Sequence, residues 1–203
     1  MCKEPVIITT NAPSPALELA PELLHKAALL RASALFGEPT DGSVPYQKQV
    51  LFLVLAGQKP VGEAASGHWE STAAGRRTVA DDPELVAAFL TELGLAYELI
   101  SFDGHATDAL VSLDPALLTA YHQASASNDV TTIGRLFGYP DTAIAAFVGG
   151  ADALLDDAAY EQHVTDAGLD AAVIGFALSA AHWAEELAVA RNWQALLVAA
   201  NLT

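Results

Sequence analysis

Between Asp82 and Ala124 the chain carries its own punctuation, and this constrains its fold more than any other feature. "DDPELVAAFLTELG" places Asp82 as a cap and Pro83 at the first helical position. Glu84 sits at the positive end of the macrodipole. Leu85, Phe89 and Leu93 recur four residues apart, and Gly94 supplies a left-handed stop. "LAYELISF" then alternates Leu95, Tyr97 and Leu99 on one face, the pattern of a strand. Asp103-Gly104 is a hairpin turn, and "TDALVSL" is the returning strand. Asp114-Pro115 repeats the cap-and-proline helix start before "ALLTAYHQA". Helix, strand, turn, strand and helix follow one another without a gap.

Upstream, Ser14-Pro15 opens a helix that Pro21 restarts, with Leu23, Leu24, Ala27, Leu30, Ala34 and Leu35 as its apolar set. Gly37 and Pro39 end it. "QVLFLVLAG", Gln49–Gly57, is a continuous apolar run ending in glycine and is expected to be a buried central strand. The stretch from Gln58 to Ala80 is rich in small and turn residues. It reads as a loop with short strands around Val61–Ala64 and Arg77–Val79.

From Asn128 only helices are expected. Asp129 or Asn128 caps the first, whose stripe is Ile133, Leu136 and Phe137. Pro140 starts the next, with stripe Ile144, Phe147 and Val148. Asp156–Ala167, Asp170–Ala190 and Asn192–Ala200 complete an Ala-rich bundle. The expected architecture is α+β: a small mixed or antiparallel sheet with flanking helices, followed by a C-terminal helical bundle. In 203 residues this makes one domain, with an α+β part over 14–127 and a helical part over 128–203.

Charge excludes several functions. Nine Lys and Arg stand against 25 Asp and Glu, a net charge of -16. Such a field repels phosphate backbones and anionic lipid, so neither nucleic acid nor a membrane surface is an expected partner. Cys2 is the only cysteine, which excludes an intrachain disulfide and a thiolate cluster. The longest apolar run, "AAVIGFALSAA" (Ala171–Ala181), is too short to span a bilayer and reads as a buried helix or an oligomer face. A homodimer or other protein partner follows as an expectation. With no long apolar leader segment, the chain is expected to be soluble and cytoplasmic.

"TIGRLFGYPDTAIAAF" joins two apolar stretches at Gly138-Tyr139-Pro140. Gly138 can adopt positive φ, Tyr139 is pushed extended by the following proline, and Pro140 begins a helix without losing a hydrogen bond. The motif is a structural corner between two short helices. The outline also fits a helix-turn-helix, but "DTAIAAFV" has no Lys or Arg to meet DNA. This stretch resembles the signature of an uncharacterised, largely archaeal domain-of-unknown-function family, Gly-(any)-Leu-Leu-Gly-Tyr-Pro-acid-Cys-Cys-(apolar)-(any)-(any)-Phe. Gly134, Leu136, Gly138, Tyr139, Pro140, Asp141, Ile144 and Phe147 match it. Lys59-Pro60 and "LGLAYELIS" resemble its upstream order, so that the resemblance covers residues 50–148. Thr142 and Ala143 replace the cysteine pair, so thiol or metal chemistry at those two positions is not carried over. The resemblance implies a relative and no activity.

Three clusters are candidates for chemistry. Lys59, His68, Arg76 and Arg77 concentrate positive charge in an acidic chain and, with Tyr139, form a candidate site for a small anionic ligand, although pairing with the protein's own carboxylates accounts for the charge as well. "DGHATD" brings Asp103, His105 and Asp108 to a turn, and turn chemistry accounts for it. In "HWAEE", His182 stands with Glu185 and Glu186 at i+3 and i+4, a spacing able to bind metal but also that of a solvated polar flank. Common nucleotide and hydrolase signatures are absent. The expectation is a cytoplasmic binding or interaction module without catalysis, cofactor or metal. The alternative is a sensor or enzyme for a small anion held near Lys59, Arg76 and Arg77.

Overall fold

The computed structural model describes residues 17–37, 44–72, 75–102, 106–150 and 152–203, with side chains left out at 68–72, 75–78, 101–102 and 106–107. Cys2, Ser14, Pro15, Pro39 and Asp103–His105 lie outside the described residues. The fold is α+β. In chain order it comprises α1 (Pro21–Ala32), α2 (Tyr46–Leu55), β1 (Val61–Ser66), β2 (His68–Thr72), β3 (Gly75–Val79), α3 (Pro83–Glu92), β4 (Ala96–Phe102) and β5 (Ala106–Ser112). There follow α4 (Pro115–Ala126), α5 (Val130–Leu136), α6 (Asp141–Phe147), α7 (Asp157–Asp166), α8 (Ala171–Ile174) and α9 (Trp183–Ala199).

Local signals work where they are dense. The Asp82 carboxylate accepts from the Glu84 N–H, that of Asp114 from Ala116 and that of Asp129 from Thr132. β4 and β5 pair antiparallel from Ala96↔Ser112 to Phe102↔Ala106. β1 pairs antiparallel with β5, giving the order β1-β5-β4. β2 and β3 make a separate hairpin that continues β1; the β2 stretch was expected to be loop.

The continuous apolar run is a helix, not a strand. Residues 48–54 of α2 are all buried. A helix buried on every side shows no polar face, so its sequence matches that of a buried strand. α2 lies on one face of the sheet, where Gly62 lets it approach: a β-carbon there would stand 2.8 Å from Val54 and 2.9 Å from Val50. On the other face Val61 and Leu110 pack with Leu118 of α4 and Leu136 of α5. The main core continues from α2 through Ile174 and Leu178 to Leu187, Trp193 and Leu197 of α9, so apolar packing crosses Asn128.

The C-terminal half departs from expectation in three places. Ala171–Ala181 is not one helix, because Gly175 adopts φ +62° and ends α8 after four residues. The chain then runs extended to Ser179, which bridges to Leu154. Val173, Ile174, Phe176 and Leu178 are buried within this chain, which removes the apolar face that suggested self-association. α9 runs unbroken through Arg191 and Asn192, where two helices were expected. On α6, Ile144 is buried with Ala143 and Ala146, but Phe147 and Val148 of the expected stripe are 62% and 50% exposed.

Candidate functional site

The Gly138-Tyr139-Pro140 corner is built as its residues dictate, and it also positions a lysine. Gly138 has φ +75°, and a β-carbon there would lie 2.6 Å from the Gln58 carbonyl oxygen. Pro140 caps α6 from the position before its first residue. The corner thus rests on the turn that leaves α2, where the Gln58 and Lys59 N–H groups both donate back to the Leu53 carbonyl at 2.9 and 3.3 Å. That packing directs Lys59 inward.

Lys59 is 4% exposed. Its Nζ donates to the Phe137 carbonyl oxygen at 3.3 Å. It stands 4.2 Å from the centre of the Trp193 ring and 5.1 Å from that of Tyr139. Among the described residues it has no ion-pair partner. Burial alone pushes its pKa down to about 8. Aromatic faces and one carbonyl stabilise the ammonium in part, but a buried charge without a counterion is costly.

The lysine forms part of the wall of a cavity of about 390 Å³ at the free edge of β1, with Tyr46, Glu63, Asp108, Phe137 and Tyr139. Burial raises the Tyr139 pKa to about 12, with smaller contributions from Tyr46 and Glu63. Tyr46 is raised by burial and then by Glu63, and Glu63 by burial and then by Asp108. Gly175 lies beside both phenols: a β-carbon there would be 3.5 Å from the Tyr46 hydroxyl and 3.8 Å from that of Tyr139. The arrangement offers one buried cation, two neutral phenols and two carboxyl groups, of which Glu63 is raised chiefly by its burial. It can bind a polar group and pass a proton to or from it.

A second cavity, of about 320 Å³, shares Phe137 and Tyr139 with the first. The rest of its wall is apolar, including Ile133, Ile144, Phe176 and Ala177. Ala143, where the resembled signature has its second cysteine, also lines it.

Of the candidate residues read from the sequence, the structure brings Lys59 and Tyr139 together. His68, Arg76 and Arg77 lie on the β2–β3 hairpin, where Glu70 pairs with Arg77 and Ser71 with Arg76, and their side chains are outside those described. The hairpin leaves β1 at Ser66, and at ~3.3 Å per residue β1 sets that end roughly 17 Å from the Lys59 end. Asp108 faces the Lys59 cavity. The expected polar flank at His182 and Glu186 is corrected. Glu186 is fully buried and accepts from both the N–H and the hydroxyl of Ser179, whereas His182 stays half-exposed, 3.6 Å from Glu185 and 4.0 Å from Asp152. Among the described residues no group of three His, Cys, Asp or Glu is placed to hold a metal, and no helix is long and apolar enough to cross a membrane.

Sequence reading missed Tyr46, Glu63, Phe137 and Trp193 as site residues. Phe137 could have been suspected beside Tyr139; nothing local marks Trp193. No family model matches the chain, and neither a curated protein nor a solved structure does.

Proposed function

We propose that the chain is a binding module for a small acid, received in the Lys59 cavity, without chemistry of its own. One observation carries this reading: a buried ammonium at a cavity wall that has no carboxylate partner among the described residues. An incoming carboxylate supplies a counterion to an ammonium whose own desolvation is already complete, so only the acid's water has still to be shed. Lys59 with Tyr139, rather than a loop of Lys59, Arg76 and Arg77, is the anchor. Glu63 and Asp108 add negative charge to the same cavity, so the acid seats at the end formed by Lys59, Phe137 and Tyr139.

The test is calorimetric titration of the full chain with butyrate at pH 7, where Lys59 is mostly charged. Saturable binding that weakens at least tenfold in Lys59→Met supports the reading. Equal binding by the variant, or none by the parent chain at millimolar acid, overturns it.

A further inference from the structure

Lys59 does more than line the polar cavity; its ammonium stands at the partition between two cavities. Its hydrogen-bond acceptor is the Phe137 carbonyl, and one of the two rings it faces is Tyr139. These same two residues line the apolar cavity on their other side. Gly175, which borders the apolar cavity, also lies beside both tyrosine hydroxyls, which a β-carbon there would meet at 3.5 and 3.8 Å. A group bound to Lys59 therefore lies against the two residues that also wall a chamber with no charged side chain among its lining residues.

The apolar chamber is lined by side chains that gain from being covered. Phe176 forms its buried floor, and Phe147, 62% exposed, stands at its rim. At ~30 Å³ per water-sized group it has room for a chain of about ten such groups. Chambers of this kind are filled with apolar ligand atoms, while a few polar groups set orientation.

The geometry points to an amphipathic acid as the ligand: a carboxylate at Lys59 and a hydrocarbon tail that passes Phe137 and Tyr139 into the apolar chamber. This rests on the small-acid reading above and adds the class of molecule. Neither cavity alone specifies it. The polar one would accept any small acid, and the apolar one any oily group.

The experiment compares butyrate, decanoate and decanol, each below its aggregation limit, binding to the full chain by calorimetry. Decanoate is expected to bind at least a hundredfold more tightly than butyrate, since six further methylenes leave water, and at least tenfold more tightly than decanol. Ala177→Trp, which fills the chamber, is expected to cut the decanoate-to-butyrate ratio below tenfold. The wild-type ratio stands as a test even where that variant does not fold. Equal affinity for butyrate and decanoate, with Lys59→Met still weakening both, overturns the tail and leaves the small-acid reading intact. Decanol binding as tightly as decanoate overturns the assignment of the head to Lys59. Absence of binding by all three overturns both readings.

Discussion

The carboxylate of Glu186, fully buried in the first turns of α9, accepts two hydrogen bonds from Ser179, from its N–H and from its hydroxyl, each 2.7 Å long. The Ser179 oxygen in turn accepts from the His182 N–H at 3.1 Å. The pair ties the extended segment after α8 to the start of α9.

Glu186→Ala leaves two buried donors of Ser179 unsatisfied. Each such group costs about 1–3 kcal/mol, so the variant is expected to lose about 3 kcal/mol of unfolding free energy. Glu186→Gln keeps an acceptor and is expected to lose about half of that. Urea titration with unchanged slope measures both. A loss below 0.5 kcal/mol for Glu186→Ala, on the order of an ordinary surface change, would show that the staple is not structural.

Gly138 and Gly57 separate two effects of a glycine. Both have positive φ, +75° and +68°, but a β-carbon at Gly57 meets nothing within 4 Å, whereas at Gly138 it strikes the Gln58 carbonyl. Gly57→Ala is expected to cost only the left-handed strain, about 1 kcal/mol. Gly138→Ala is expected to cost at least twice that and to weaken butyrate binding, because relief of the clash moves the Lys59 turn. Thermal melts of the two variants check this; equal losses would exclude the close contact as a determinant.

Lys59 gives the protein an alkaline signature. Its folded pKa of about 8 lies below the unfolded value of 10.5. The unfolded chain therefore binds more protons in between, and the penalty for the buried charge is relieved as pH rises through that window. From pH 8 to 10 the wild type is expected to gain about 2 kcal/mol relative to Lys59→Met. Above the unfolded lysine value of 10.5 this difference levels off, while the stability of both proteins falls as the unfolded tyrosines ionise, since Tyr139 holds its proton to about 12 when folded. Paired denaturant curves across this range measure it. A difference that does not change with pH would mean that Lys59 titrates normally.

An anionic ligand acts on the same lysine in the opposite sense. A carboxylate beside Nζ favours the charged form and raises its pKa. Butyrate binding is therefore expected to take up protons at pH 8.5, and its affinity to fall by up to about tenfold per pH unit between the free value of about 8 and the raised bound-state value. Titration in buffers of different ionisation enthalpy reads the proton uptake; none at pH 8.5 would place the carboxylate elsewhere.

The chain by itself determined the parts whose causes lie within one helical turn. The Asp-Pro starts of α3 and α4, the antiparallel pairing of β4 with β5 and the bend at Gly138-Tyr139-Pro140 all stand as their residues imply. Proline, glycine and capping carboxylates act on their immediate neighbours, so nothing distant overrules them. Tertiary structure decided the rest. Gln49–Gly57 became a helix because packing on every side removed the polar face that distinguishes helix from strand. Gly175 broke an apolar run that propensity alone would continue, and Ser179 drew Glu186 into the core. The candidate site belongs to this second class. Lys59 is a single positive charge in the sequence, and it becomes a buried one, without an ion-pair partner among the described residues, only when the Gly138 corner and α9 close over it with Tyr139 and Trp193. Burial is a property of the assembled fold, and no local pattern of residues encodes which distant ring will cover a given lysine.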